Sequence, residues 1–158
     1  DTYVAGLSMG GLGAILTGLR YPETFSHIGA FSSGLITDQY PKDDTSSRAI
    51  QRRSFYESVC GAEKDYAGSR NDYISLAKEL KESGRLLPRI YMACGTEDFL
   101  LESNRKYRDH LKKLGYELEY HEEAGGHEWG FWNQQVYQFL QTLPLEEMSP
   151  SLSSGHVM

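Results

Sequence analysis

Short apolar runs alternate four times with amphipathic segments along the chain, and this alternation constrains the fold more than any other sequence feature. The runs are rich in β-branched, aromatic and small apolar residues and are bounded by turn residues, as buried strands are. They span residues 2–8, 26–34, 89–95 and 116–124. A strand that is repeatedly followed by a helix predicts a parallel sheet with helical crossovers, which places the chain in the α/β class.

Helices are predicted where apolar side chains recur three and four positions apart. These predicted helices span residues 10–22, 71–85, 102–115 and 130–143, with one more near 48–60 inside the irregular stretch 35–70. Asn71 or Asp72 is a suitable cap for the helix that begins there. The fourth strand alternates apolar and charged residues, which is typical of an edge strand with one wet face.

The first predicted strand runs directly into Gly6-Leu7-Ser8-Met9-Gly10, a G-x-S-x-G pattern. This pattern is typical of a sharp strand-to-helix turn that holds a serine in a strained conformation above the sheet. We expect a side chain at Gly6 or at Gly10 to collide with neighbouring structure. The N–H of Met9 then opens a helix and can donate to a developing oxyanion. The pattern therefore predicts Ser8 as a nucleophile.

A serine nucleophile needs a base, and the base needs an orienting acid. The third strand is followed by Glu97 and Asp98, and the fourth strand is followed by His127. Functional groups on such sheets gather at the carboxyl ends of the strands, and the order serine, acid, histidine is that of hydrolases with this architecture. The sequence thus predicts that an acid and His127 meet Ser8 at one edge of the sheet.

Alternatives exist for both partners of the serine. His127 follows two glycines in a loop and can be aimed freely, whereas His121 lies within a strand on its charged face. Glu97 is an alternative acid to Asp98, and Asp98 could instead cap the next helix. Ser32 and Ser33 also follow a strand but lack the G-x-S-x-G context, so we expect them to line a pocket or to bond a turn.

Several apolar residues flank the predicted nucleophile and base. Trp129 and Leu7 are the predicted substrate contacts, although Trp129 could instead pack only its own loop. Trp132 has the spacing of a buried helix face and is expected in the core.

Composition excludes several classes of function. The net charge of −6 and the dispersed acidic residues argue against nucleic-acid binding. No apolar stretch approaches the roughly 20 residues that a membrane helix needs. Cys60 and Cys94 form no metal motif. Cys94 is expected to be a buried thiol, and the sequence does not decide whether the two cysteines form a disulfide. A small-molecule substrate is the expected partner, no metal or cofactor is expected, and the oligomeric state is undetermined.

Three motifs together resemble the tributyrin-esterase and esterase D group of α/β-hydrolases. They are "GLSMGGLGA", "CGTEDFLLESN" and "AGGHEWGFW", and the likeness spans residues 1 to about 143. The resemblance implies Ser8 as nucleophile, Asp98 as acid and His127 as base. It also implies short acyl or aryl esters as substrates, with S-formylglutathione-type thioesters or acyl transfer to sugars as alternatives, and a non-catalytic remnant as a further one. Residues 35–70 would then form the variable region over the acyl site.

The chain departs from this group at its front. Members carry several strands before the nucleophile strand and supply a second oxyanion donor from an early loop. We therefore expect the sequence to be the C-terminal part of a longer esterase, with a partial catalytic domain over residues 1–145 and a flexible tail over 146–158. The activity of this piece alone stays open. A cytoplasmic location is favoured, with secretion as the alternative if a leader precedes residue 1.

Overall fold

The computed structural model describes residues 2–35 and 46–145. Four strands form one parallel sheet in the order β1-β2-β3-β4. The strands are β1 (Thr2–Leu7), β2 (Phe25–Phe31), β3 (Arg89–Gly95) and β4 (Leu118–Glu123). The predicted parallel sheet and the edge position of β4 are confirmed. Each strand begins within about two residues of its predicted first residue.

Six helices connect and cover the strands in the described part of the chain. They are α1 (Met9–Arg20), α2 (Ser47–Cys60), α3 (Glu63–Tyr66), α4 (Tyr73–Glu82), α5 (Leu101–Leu114) and α6 (Trp129–Thr142). The five predicted helices are confirmed. The single turn α3 was not predicted, because four residues are too few for a periodic apolar pattern. The predicted tail at 146–158 lies outside the described residues.

The sheet is covered on both faces, and side chains alternate between the two because successive strand residues point in opposite directions. Ile28 and Ala30 of β2 lie in the larger core cluster, which α1, α4 and α5 complete. Phe31 lies in the smaller cluster on the other face, where Phe139 and Trp132 of α6 pack. Trp132 is buried as predicted. Because the sheet is parallel, the carboxyl ends of all four strands lie at the same edge.

The helix α4 shows how local chemistry sets the element boundaries. The Asp72 carboxylate accepts hydrogen bonds from the N–H groups of Ile74 and Ser75 at 3.1 and 3.0 Å. These donors have no partner within the helix, so the cap satisfies them. Asp72, rather than Asn71, is thus the capping residue. Across the described residues, no helix is both long and apolar enough to cross a membrane.

Candidate active site

Ser8 occupies the turn between β1 and α1 with φ of 54° and ψ of −120°. A positive φ is rare for a residue with a side chain and costs of order 1–3 kcal/mol, so surrounding contacts must hold it. The Ser8 N–H donates to the Phe31 carbonyl oxygen at 2.9 Å, and the Ser8 carbonyl oxygen accepts from Gly34 N–H at 2.8 Å. The end of β2 therefore fixes the backbone on which the hydroxyl is presented.

The two glycines that flank this turn differ in their surroundings. A Cβ on Gly6 would lie 2.1 Å from the Gly10 carbonyl oxygen, so the predicted collision at Gly6 is confirmed. A Cβ on Gly10 would meet no other described atom within 4 Å, so the predicted collision at Gly10 is wrong. The physical reason is that the two positions face different surroundings. The Cβ position of Gly6 on β1 faces the backbone of α1, whereas the Cβ position of Gly10 faces open space.

His127 joins the other two predicted partners into one chain of hydrogen bonds. Its Nε2 lies 2.9 Å from Ser8 Oγ, and its Nδ1 lies 2.9 Å from Asp98 Oδ2. A carboxylate only accepts, so Nδ1 carries the proton toward Asp98 and Nε2 is left to accept from the serine hydroxyl. The Asp98 side chain is fully buried, whereas the imidazole is 22% exposed. The structure thus brings Ser8, His127 and Asp98 together.

The alternative acid, Glu97, points elsewhere. Its Oε2 accepts from the Gly125 N–H at 2.5 Å, and its own N–H donates to the Gly125 carbonyl oxygen at 3.1 Å. The Gly125 hydrogen bond holds the pKa of the Glu97 carboxyl below its usual range. Glu97 therefore ties the loop after β3 to the loop that carries His127, while Asp98 contacts the imidazole itself.

A buried amide that was not predicted braces the serine turn. Asn104 of α5 has no exposed surface. Its Oδ1 accepts from Ser33 N–H at 3.2 Å, and its Nδ2 donates to the carbonyl oxygens of Ser33 and Leu100 at 3.0 and 2.9 Å. The spacing of Asn104 with the buried Tyr107 and Leu111, three and seven positions later, is the signal that could have placed it inside.

Ser32 and Ser33 are fully buried, and it is their backbone groups that bond the turn after β2, which is one of the two roles predicted for them. The Ser32 N–H donates to the Ala93 carbonyl oxygen at 2.7 Å. Together with the Ser33 contacts to Asn104, this bond fixes the loop whose Gly34 N–H holds Ser8. The turn after β2 is therefore a support for the nucleophile turn.

Met9 is the first residue of α1, so its N–H lacks an acceptor inside the helix. The positive end of the helix dipole lies at the same place and favours negative charge there. This N–H directly follows Ser8, the position that the oxyanion donor of the predicted mechanism requires. The Met9 side chain itself is largely exposed.

A mainly apolar cavity of about 240 Å³, here called the Ser8 chamber, adjoins the serine. Its walls come from α1 and α2: Leu12, Gly13, Leu16, Phe55, Val59 and Cys60. Ser8, Met9 and Phe99 also border it. Cys60 and Cys94 are both buried and free, so no bridge joins them. Burial raises the pKa of the Cys60 thiol.

The predicted substrate contacts lie outside the Ser8 chamber. Trp129 is 72% exposed and packs edge-on against Trp132, with 5.4 Å between ring centroids. Leu7 is half-buried against the smaller core cluster. Leu7 points there because alternate strand residues face opposite sides of the sheet. Phe99 borders both the chamber and the His127 ring, and its ring centroid lies 4.9 Å from the centroid of the imidazole.

A parallel sheet with a serine on the strand-to-helix turn after β1, and with Asp98 and His127 after β3 and β4, has the α/β-hydrolase fold. A family model described as Putative esterase matches residues 1–143, and the chain belongs to that family. The predicted esterase resemblance is confirmed at this level. The narrower tributyrin-esterase and esterase D assignment stays a prediction.

Known proteins of several activities are similar to this chain. An acetyl esterase from Caldicellulosiruptor saccharolyticus is 41% identical over 138 residues, which cover 85% of this chain and 51% of that protein. A ferulic acid esterase structure matches with a TM-score of 0.62 and 29% identity, over 87% of this chain and 49% of that one. S-formylglutathione hydrolase from Staphylococcus aureus shares the fold, with a TM-score of 0.72 and 20% identity, over 89% and 53%. The chain spans about half the length of these relatives.

Proposed function

We propose that the protein is a serine carboxylesterase that hydrolyses short-chain acyl or aryl esters through an acyl-enzyme on Ser8. The observation that carries this proposal is the continuous hydrogen-bonded chain from Asp98 through His127 to the Ser8 hydroxyl. Membership of an esterase family and the likeness to an acetyl esterase support the same chemistry. The hydrogen-bonded chain supports acyl transfer through Ser8, and the family supports an ester as the substrate.

In the acylation step, Ser8 Oγ attacks the ester carbonyl carbon while His127 Nε2 accepts the hydroxyl proton. The carbonyl oxygen becomes an oxyanion, to which the Met9 N–H donates at the positive end of α1. The buried Asp98 carboxylate stabilises the imidazolium that forms. His127 then gives its proton to the departing alcohol oxygen, and the acyl group stays on Ser8.

Deacylation repeats the sequence with water in place of the serine hydroxyl. His127 Nε2 accepts a proton from the water as the water oxygen attacks the acyl carbon. Collapse of the second oxyanion breaks the bond to Ser8 Oγ, and His127 returns the proton to that oxygen. The carboxylic acid product leaves, and the starting hydrogen bonds are restored.

Labelling with a fluorophosphonate tests the proposal directly, because only an activated serine reacts with such a probe. We expect the probe to add to Ser8 of the 158-residue chain, as located by mass spectrometry, and Ser8→Ala to abolish the adduct. Ser26→Ala is a matched control, because Ser26 Oγ also lies 3.0 Å from a histidine nitrogen, His27 Nδ1, but outside the strand-to-helix turn. Undiminished labelling of Ser8→Ala would refute the proposed nucleophile.

The same arrangement of Ser8, His127 and Asp98 could serve a thioesterase or an acyltransferase, since each forms an acyl-enzyme. A substrate panel separates these activities: p-nitrophenyl acetate, S-formylglutathione and an acetyl donor with a sugar acceptor. The proposed carboxylesterase should release nitrophenolate without an acceptor. Release that depends on added sugar would favour acyl transfer, and a chain that no fluorophosphonate labels would be a non-catalytic domain.

A further inference from the structure

Phe99 is an exposed aromatic residue beside the proposed base. It is 72% exposed, although its neighbours in the chain, Asp98 and Leu100, are both buried. An exposed ring removes little apolar surface from water, so Phe99 contributes little to the stability of the fold. Its ring lies next to the imidazole of His127, with 4.9 Å between the two centroids and 49° between the two planes.

The loop after β3 fixes the backbone that carries this ring. Asp98 Oδ1 accepts a hydrogen bond from the Leu100 N–H at 2.9 Å, and the Asp98 carbonyl oxygen accepts from the Leu101 N–H at 3.1 Å. Both bonds span Phe99 and hold its backbone in a closed turn. The other carboxylate oxygen of Asp98, Oδ2, lies 2.9 Å from His127 Nδ1. One side chain therefore sets the positions of both the imidazole and the phenyl ring.

A second aromatic ring contacts the imidazole from α6. Trp132 is buried and lies perpendicular to the His127 ring, with 4.8 Å between the two centroids. Trp129 packs against Trp132 in turn, with 5.4 Å between their centroids. The imidazole is thus in contact with one buried ring and one exposed ring, which come from different segments of the chain.

The proposed mechanism requires support for the imidazole that does not depend on Ser8. His127 Nε2 changes its partner from the serine hydroxyl to the departing alcohol and then to water. During each change, the bond from Nδ1 to Asp98 is the remaining hydrogen bond of the ring, and a ring held at one nitrogen can tilt about that bond. A displacement of about 1 Å in a reacting group can lower a rate roughly a hundredfold. Aromatic rings packed against the imidazole limit this tilt whichever partner Nε2 has.

We propose that Phe99 is a positioning residue for His127, whose ring keeps the imidazole aligned while Nε2 changes partners. This inference rests on the proposed transfer of an acyl group to Ser8. Phe99 transfers no proton and forms no bond to the substrate in this role, because it acts through the histidine alone.

The rate of fluorophosphonate labelling over a range of probe concentrations tests this role. Phe99 also borders the Ser8 chamber, so the maximal labelling rate must be separated from the probe concentration that gives half of it. Phe99→Ala should lower the maximal rate by roughly five- to twentyfold and leave the half-maximal concentration within about twofold. An unchanged maximal rate would overturn the proposal. A change confined to the half-maximal concentration would also overturn it, because it would make Phe99 a substrate contact.

A conservative variant and a matched control complete the labelling experiment. Phe99→Tyr keeps the ring, so its maximal rate should stay within about twofold of the wild-type rate. A loss as large as that of Phe99→Ala would contradict a role for the ring. Tyr137→Ala is the control, because Tyr137 is also a largely exposed aromatic residue but lies on α6 without a contact to His127 among the ring pairs of the described chain.

NMR of His127 separates failure of the positioning role from failure of the proposed function. In the Ser8→Ala chain, Nε2 lacks the serine hydroxyl, as it does while a substrate reacts. The order parameter of the His127 ring C–H bonds should fall when Phe99→Ala is added to Ser8→Ala, and Tyr137→Ala should leave it unchanged. An unchanged value with Phe99→Ala would overturn the positioning role even if Ser8 is labelled. Absence of labelling in the wild-type chain would overturn the proposed function, and the order parameter would then decide the role of Phe99 by itself.

Discussion

Glu97 and Gly125 hold each other through two hydrogen bonds, from the Gly125 N–H to the Glu97 carboxylate and from the Glu97 N–H to the Gly125 carbonyl oxygen. The next residue after Glu97 is Asp98, and His127 lies two positions after Gly125. Adjacent carboxylates thus bind the backbone and the imidazole of the same loop. This pairing predicts that Glu97 positions His127 without contacting the reacting atoms.

Glu97→Ala should slow fluorophosphonate labelling of Ser8 by roughly ten- to a hundredfold, because the histidine loop loses a fixed support. Glu97→Gln should keep most of the rate, since its amide oxygen still accepts from the Gly125 N–H. Hydrogen exchange of the Gly125 amide should quicken in the alanine variant only. Glu23→Ala is the control, because Glu23 also accepts two hydrogen bonds, from Arg85, at a surface away from Ser8. Equal labelling of wild type and Glu97→Ala would contradict the positioning role.

Gly6→Ala and Gly10→Ala should have opposite effects on stability. The Gly6 Cβ would lie 2.1 Å from a backbone oxygen that cannot move freely, so we expect a loss of about 1–3 kcal/mol or more in the free energy of unfolding. Gly10 lies in α1 with open space at its Cβ, so alanine should stabilise the helix by about 0.5–1 kcal/mol. Urea unfolding measures both changes, and equal destabilisation would contradict the one-sided contact.

Asn104→Leu should lower the free energy of unfolding by about 2–4 kcal/mol, because the buried N–H and carbonyl groups of Ser33 would lose their partner. Labelling of Ser8 should also slow, since the Ser33–Gly34 turn holds the serine backbone. Asn133→Leu serves as control, because Asn133 is exposed on α6. Thermal unfolding followed by circular dichroism compares the two, and a melting temperature unchanged from wild type would contradict the bracing role.

Alkaline pH should destabilise the fold through its buried tyrosine and cysteine side chains. Burial raises the pKa of Tyr116 to about 12, and burial together with nearby Asp98 raises the pKa of the Cys94 thiol to about 12. In the unfolded chain both groups ionise nearer pH 9–10, so above that range the unfolded state binds fewer protons than the folded state. The free energy of unfolding should therefore fall between about pH 9 and about pH 12.

Urea unfolding at about pH 8 and about pH 10.5 measures this slope. Tyrosinate absorbance recorded with it should rise together with the loss of secondary structure, because burial also raises the pKa of further tyrosines. These are Tyr66, Tyr91, Tyr107 and Tyr120. Stability that does not change over this pH range would contradict the assigned burial effects.

Local sequence patterns were sufficient for the four strands, for every described helix except the single turn α3, and for Ser8 and His127 at the carboxyl edge of the sheet. Apolar residues recur every second position in a strand and every third or fourth position in a helix. This spacing shows which side of the element is buried, and it is contained in a few consecutive residues. The same holds for the serine turn, since a glycine on its strand side is a local steric need. Parallel strands then bring their carboxyl ends to one edge, so Ser8, an acid after β3 and His127 were expected to meet there.

Only the tertiary structure shows which of the two adjacent acidic residues, Glu97 and Asp98, contacts His127. Glu97 and Asp98 are adjacent and chemically alike, and only the path of the two loops shows that one binds Gly125 and the other His127. The Ser8 chamber is likewise formed by α1 and α2, whose nearest lining residues, Leu16 and Phe55, are 39 positions apart in the chain. The physical reason is that hydrogen-bond partners and cavity walls are set by distances between remote segments, which one-dimensional spacing does not contain.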